Sequence, residues 1–152
     1  MQSLRQVQTY LQSDSEDKIL VRFHYHDKED MFDLVSYNKG GSILHMLRSY
    51  LGDEAFFAGM NRYLDANKFK PAEYNQLRIA FEDISGEDLN WFFDQWIETT
   101  KTIDYKIKKV DQKDGKLTVE IQRKGGMQMP LDITIRTKNK NKINLHIPNT
   151  TS

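Results

Sequence analysis

The sequence has 152 residues, 38% hydrophobic and 29% charged, a balance that suits one compact domain or two small ones and excludes a disordered tail. Lys plus Arg number 22 and Asp plus Glu also 22, so the formal net charge is +0 and no long-range field draws the chain to nucleic acid or an anionic membrane. There is no cysteine, which excludes disulfides and thiolate metal sites, and no apolar run approaches the roughly 18 residues that span a bilayer.

The opening residues lack the charged and apolar regions of a signal peptide. Leu4, Val7, Tyr10 and Leu11 recur at three- and four-residue spacings, which predicts a short amphipathic lead-in helix. Ile19, Val21, Phe23 and Tyr25 alternate with Leu20, Arg22 and His24 and predict a strand or extended arm, followed by a charged connector over Asp27 to Asp33.

Residues 36 to about 99 carry a helical period that punctuation divides into four segments. Ser36 is the expected cap of the first, whose apolar face is Ile43, Leu44, Met46, Leu47, Tyr50 and Leu51, and Gly52 stops it. Asp53 is the expected cap of a second helix carrying Phe56, Phe57, Met60, Tyr63 and Leu64, ended by Asn67 to Pro71. Tyr74, Leu77, Ile79, Ala80 and Phe81 mark the third. After the turn Ser85–Asp88, the residues Leu89, Trp91, Phe92, Phe93, Trp96 and Ile97 mark a fourth, whose aromatics are expected to serve packing. Helices this short draw most of their stability from packing, so one antiparallel helical unit is expected.

After Thr100 the period becomes two: Ile103, Tyr105 and Ile107, then Leu117, Val119 and Ile121, then Leu131, Ile133 and Ile135, then Ile143, Leu145 and Ile147. Turns are expected at Lys113–Lys116, at Gly125-Gly126 and at Asn139–Asn141. The expected fold class is α+β, with an antiparallel helical subdomain over residues 1–100 and a small antiparallel sheet or β-sandwich over 101–152. Lys138, Lys140 and Lys142 alternate with Asn and suit a solvated strand edge. One apolar face of the sheet needs cover, and self-association of the chain is expected from it.

The histidines are His24, His26, His45 and His146, and no H-E-x-x-H arrangement places two of them on one helical face. His24 and His26 form an i, i+2 pair without an obvious third ligand. His45 is expected to be half-buried and satisfied. No phosphate-binding loop, dinucleotide fingerprint or nucleophile elbow is present.

The segment Ser36-Tyr37-Asn38-Lys39-Gly40-Gly41, followed by an apolar helix, resembles the Tyr-x-Lys-Gly segment of the aminopeptidase N type zinc peptidases, peptidase family M1. The stretch from Leu51 to Phe57 and the stretch from Ser85 to Trp96 resemble the family's downstream sequence in order and spacing. The connector Lys28–Asp33 is similar to a bacterial branch. Roughly Phe23 to Trp96 carries the resemblance, and beyond it the family's small β-sandwich corresponds in position to the change of period.

The resemblance implies that Tyr37 is catalytic. A phenol ordinarily keeps its proton at neutral pH and can donate a hydrogen bond to the oxyanion that forms when water attacks a peptide carbonyl. Lys39 and Gly40 read as structural, with Gly40 and Gly41 expected to allow close helix packing. The family's zinc-binding H-E-x-x-H, its third ligand, a glutamate, and its substrate-amine-binding Gly-x-Met-Glu-Asn strand lie upstream of the tyrosine. Only 36 residues precede Tyr37 and none of these motifs is among them. The segment Ile97–Thr102 also lacks the family's Ser-Gly-x-Pro.

The expectation is therefore a fragment of a zinc aminopeptidase, acting in the parent on the N-terminal residue of peptides, with no metal or cofactor of its own and inactive alone. Its partners would be peptide substrate and the remainder of the parent polypeptide, not nucleic acid or membrane. The alternative is a non-catalytic helical and β-sheet interaction module. An upstream reading frame encoding H-E-x-x-H separates the two.

Overall fold

A computed structural model describes residues 19–20 and 35–149. The predicted lead-in helix over Leu4–Leu11 and the connector over Asp27–Asp33 lie outside the described residues, as does all of the predicted strand except Ile19 and Leu20, which are neither helix nor strand. The chain divides into two compact units, residues 1–100 and 101–152.

From residue 35 the first unit runs through a π-helical turn, Val35–Lys39, directly into α1, Gly40–Leu51. Ser36 thus lies inside the turn, and it does not occupy the cap position predicted for it. The residue at the boundary of α1 is Lys39, itself in helical conformation with no side-chain cap. Helix α2 spans Asp53–Asn67, α3 spans Tyr74–Ser85 and α4 spans Asn90–Ile97.

Gly52 ends α1, donating its N–H to the Arg48 carbonyl at 2.9 Å, and at φ 81° it holds a conformation that favours glycine. The predicted cap Asp53 is instead the first residue of α2. Its carboxylate takes both prongs of the Arg48 guanidinium, at 2.8 and 2.9 Å, because Gly52 turns the chain so tightly that the two side chains meet. That guanidinium also lies 5.0 Å from the centre of the Phe57 ring.

Helix α3 starts where the Gln76 side chain accepts the Glu73 N–H at 2.7 Å, and it ends at Gly86, whose φ of 72° is left-handed. Helix α4 starts on a carboxylate: Asp88 accepts the Asn90 N–H at 2.9 Å. These caps fix the helix lengths. Packing fixes their faces, with Ile43, Leu47, Phe56, Ala80, Phe81, Leu89, Phe92, Phe93 and Ile97 buried. Each large side chain among them contributes roughly 1.5–3 kcal/mol by leaving water.

Rings join the elements. Phe56 of α2 stacks on Phe81 of α3 with centroids 5.3 Å apart, and Tyr50 of α1 meets Trp91 of α4 edge-on at 5.5 Å. The close helix contact in this unit is at Gly59, where a Cβ would lie 2.4 Å from Phe81 Cδ1. Among the described residues, a Cβ at Gly41 meets nothing within 4 Å and one at Gly40 meets Leu20 Cδ1 at 3.9 Å, so the close packing expected of these two glycines is not seen there.

Among its described residues the second unit holds four strands, β1 (Tyr105–Lys113), β2 (Lys116–Arg123), β3 (Leu131–Arg136) and β4 (Lys142–Ile147), paired as two separate antiparallel hairpins. The β1–β2 turn has positive φ at both Asp114 and Gly115, the twist a two-residue hairpin needs. A single continuous four-stranded sheet does not form. The connection after β2 folds back on the lead-in to β1, with Lys124 and Gly125 donating N–H groups to the Asp104 carbonyl and Met127 to the Thr102 carbonyl. Pro130 then enters β3 without a donor of its own.

Each hairpin carries its apolar residues in register. Ile107 faces Ile121 and Val110 faces Val119, while in the second hairpin Leu131 faces Ile147, Ile133 faces Leu145 and Ile135 faces Ile143. Ile107, Val110, Leu117, Ile143 and Leu145 remain exposed.

Candidate functional site

The π-turn sorts its side chains sharply. Tyr37 is 66% exposed, whereas Lys39, two residues on, is only 7% exposed. A π-turn widens the backbone and often marks a functional position. Here the Ser42 hydroxyl donates to the Asn38 carbonyl at 2.6 Å, a local side-chain bond of the kind that competes with a regular helical ladder.

Burying a lysine needs a strong acceptor. Lys39 Nζ donates to the Thr99 carbonyl at 3.1 Å, across 60 residues of sequence, just beyond the end of α4. The C-terminal end of a helix carries unpaired carbonyls and partial negative charge, which suits an ammonium group. Loss of solvent pushes the Lys39 pKa below its ordinary value of 10.5. Thr99 is itself tied to α4, its hydroxyl donating to the Gln95 carbonyl at 2.6 Å. The turn that carries Tyr37 is thus tethered to the far end of the helical unit, with the phenol presented outward.

The histidines do not converge on this turn. His45 is exposed, not half-buried as its place in an apolar helix suggested, because it falls on the face of α1 opposite Ile43 and Leu47. His146 Nδ1 lies 2.8 Å from Asp132 Oδ1, its direct cross-strand partner in the second hairpin. His24 and His26 lie outside the described residues. Among the described residues no three His, Asp or Glu side chains come together to hold a metal ion, so they do not supply a donor set for the zinc that the resemblance implies. No helix among them is long and apolar enough to cross a membrane.

The aromatics of α4 pack rather than form a cage: Phe92 and Phe93 are buried, with Trp91 and Trp96 ranged edge-on and tilted against Phe92. Two further contacts were not anticipated from the sequence. The Tyr50 phenol donates to Glu87 at 2.5 Å, and the Tyr74 phenol donates to Glu98. Tyr37 of the π-turn and Tyr50 of α1 therefore stand in different settings, the first largely exposed and the second donating to a carboxylate. Nothing in the sequence marks Lys39 as buried, since a lysine next to two glycines reads as solvated.

The family model described as Peptidase family M1 domain matches residues 1–96. Among curated relatives, Aminopeptidase M1-A of Oryza sativa subsp. japonica is 35% identical over 97 residues, 64% of this chain and 11% of the relative. Aminopeptidase M1 of Arabidopsis thaliana is 36% identical over 100 residues, 66% of this chain and 11% of the relative. Tricorn protease-interacting factor F2 of Thermoplasma acidophilum is 31% identical over 118 residues, 74% of this chain and 15% of the relative. The chain thus spans a small part of the length of the curated relatives it matches. With most of its helical unit inside the matched region, the chain belongs to peptidase family M1.

Proposed function

We propose that this chain is a section of a zinc-dependent aminopeptidase that removes N-terminal residues from peptides, and that Tyr37 is its catalytic residue. The observation that carries the reading is the presentation of the Tyr37 phenol, 66% exposed on a turn held by a buried lysine. As the scissile carbonyl carbon becomes tetrahedral, negative charge gathers on its oxygen, and Tyr37 Oη–H donates a hydrogen bond to it. Such a donor is worth about 2.7–4 kcal/mol because it strengthens as the charge develops. Zinc is the parent's cofactor in this reading, held by residues outside those described, and the contribution of this chain is the hydrogen bond.

Tyr37→Phe in the intact protein tests it. The expected result is a fall in kcat of about 10²–10³-fold with KM and metal content little changed. Unchanged turnover removes the assignment. The isolated chain is expected to hydrolyse no aminoacyl substrate, and chelator-sensitive hydrolysis by the purified chain contradicts that.

The exposed apolar faces of the two hairpins support a second, independent expectation for the isolated chain, namely self-association. A monodisperse monomer in sedimentation at high concentration contradicts it.

A further inference from the structure

We propose that Lys39 is a positioning residue for Tyr37, fixing the π-turn by tethering it to the backbone at the end of α4. This rests on the catalytic reading of Tyr37 and adds the device that holds the phenol in place.

Lys39 and Tyr37 share one five-residue turn, Val35–Lys39, and point to opposite environments. The Lys39 stem is enclosed in the helical unit and its ammonium reaches the Thr99 carbonyl at 3.1 Å. The receiving carbonyl is not loose, because Thr99 is braced on Gln95 of α4 through its hydroxyl, and α4 is seated through buried Phe92, Phe93 and Ile97. On its other side the turn is braced by Ser42 against the Asn38 carbonyl. A π-turn has a weaker intrinsic preference than an α-helix, so this tertiary tether decides where its backbone sits. A catalytic hydrogen bond tolerates little displacement: an error near 1 Å can cost about 10²-fold in rate. An exposed phenol without a fixed backbone beneath it would not hold that tolerance.

The experiment uses the intact protein and four variants: Lys39→Met, Lys39→Arg, Tyr37→Phe and the double variant Lys39→Met/Tyr37→Phe. Methionine keeps an apolar stem of similar length and removes the donor; arginine keeps a donor. Lys39→Met is expected to lower kcat about 10- to 100-fold with KM changed little. Lys39→Arg is expected to recover most of the loss, and the Lys39→Met change is expected to add nothing once Tyr37 is Phe. Hydrogen exchange at residues 35–39 is expected to rise in Lys39→Met while α2 and α3 stay protected.

Equal loss of kcat from Lys39→Met with and without the Tyr37 hydroxyl overturns the proposal, as does unchanged kcat in Lys39→Met. General loss of protection across α2 and α3 overturns it too, since Lys39 would then support the whole fold. If Tyr37→Phe leaves turnover unchanged, the catalytic reading falls, and the tether is judged by exchange alone: unaltered protection at residues 35–39 in Lys39→Met overturns it.

Discussion

Gly59 of α2 lies under the ring of Phe81 of α3, so close that a methyl group there would stand 2.4 Å from Cδ1 and 2.8 Å from Cε1. Phe81 is itself fully buried and stacked on Phe56, so its ring has no open side to retreat to. Gly59→Ala is therefore expected to destabilise the helical unit by about 1–3 kcal/mol, although alanine is the better helix former. Urea unfolding followed by tryptophan emission checks this, because both tryptophans, Trp91 and Trp96, lie on α4. An unchanged or raised midpoint contradicts it.

The opposite sign is expected at Gly41. Among the described residues a Cβ there meets nothing within 4 Å, and the residue is part of α1. Gly41→Ala should raise stability by about 0.4–1 kcal/mol, chiefly by restricting the unfolded chain. The same unfolding measurement reads it, and a lowered midpoint would show that the start of α1 needs a glycine for another reason.

Tyr50 should give the unit a measurable response to alkali. Burial, and then the hydrogen bond and charge of Glu87, push its pKa from 10.0 up to about 12. The folded state thus favours the neutral phenol, so the contribution is complete below pH 10 and is lost as pH rises from there through about 12. The stability difference between the parent chain and Tyr50→Phe should be constant below that window and shrink across it. A difference that stays flat through the window would show that the Tyr50 bond to Glu87 does not persist in solution.

Phe92 is fully buried in the first turn of α4, in ring contact with Trp91, Phe93 and Trp96. Phe92→Ala is expected to cost about 3–5 kcal/mol through lost burial and the cavity left behind. Hydrogen exchange across α4 and urea unfolding both test it. A cost under about 1 kcal/mol would mean that the cavity closes by local collapse.

Much of this architecture was legible because it is local. The three- and four-residue spacing of Ile43, Leu47 and Tyr50, the stop at Gly52, and the alternation through Leu131, Ile133 and Ile135 each need only a short window of sequence. The Asp114-Gly115 turn was legible for the same reason, since its backbone twist depends on two residues. What was hidden depends on partners distant in the chain. Gly59 reads as a weak point in a helix until Phe81 is placed over it, and Lys39 reads as solvated until the Thr99 carbonyl is placed at its tip. The π-turn leaves no period in five residues. The split into two hairpins depends on where Lys124, Gly125 and Met127 send their N–H groups, which strand alternation does not encode. Tyr37 was found by resemblance, and its exposure became visible only in the folded turn.

Gly52 closes one helix and opens the next: its N–H goes back to Arg48 and its carbonyl goes forward to the N–H of Phe56 at 3.1 Å. With no spacer between them, the rotation of α2 about its axis is set by this single joint. Inserting a single residue between Gly52 and Phe56 would advance every later position of α2 by about 100° around its axis. Gly59 would swing out from beneath Phe81 and a bulkier neighbour would arrive in its place, so length variation is expected to be absorbed in the Lys68–Glu73 connection and not at this joint.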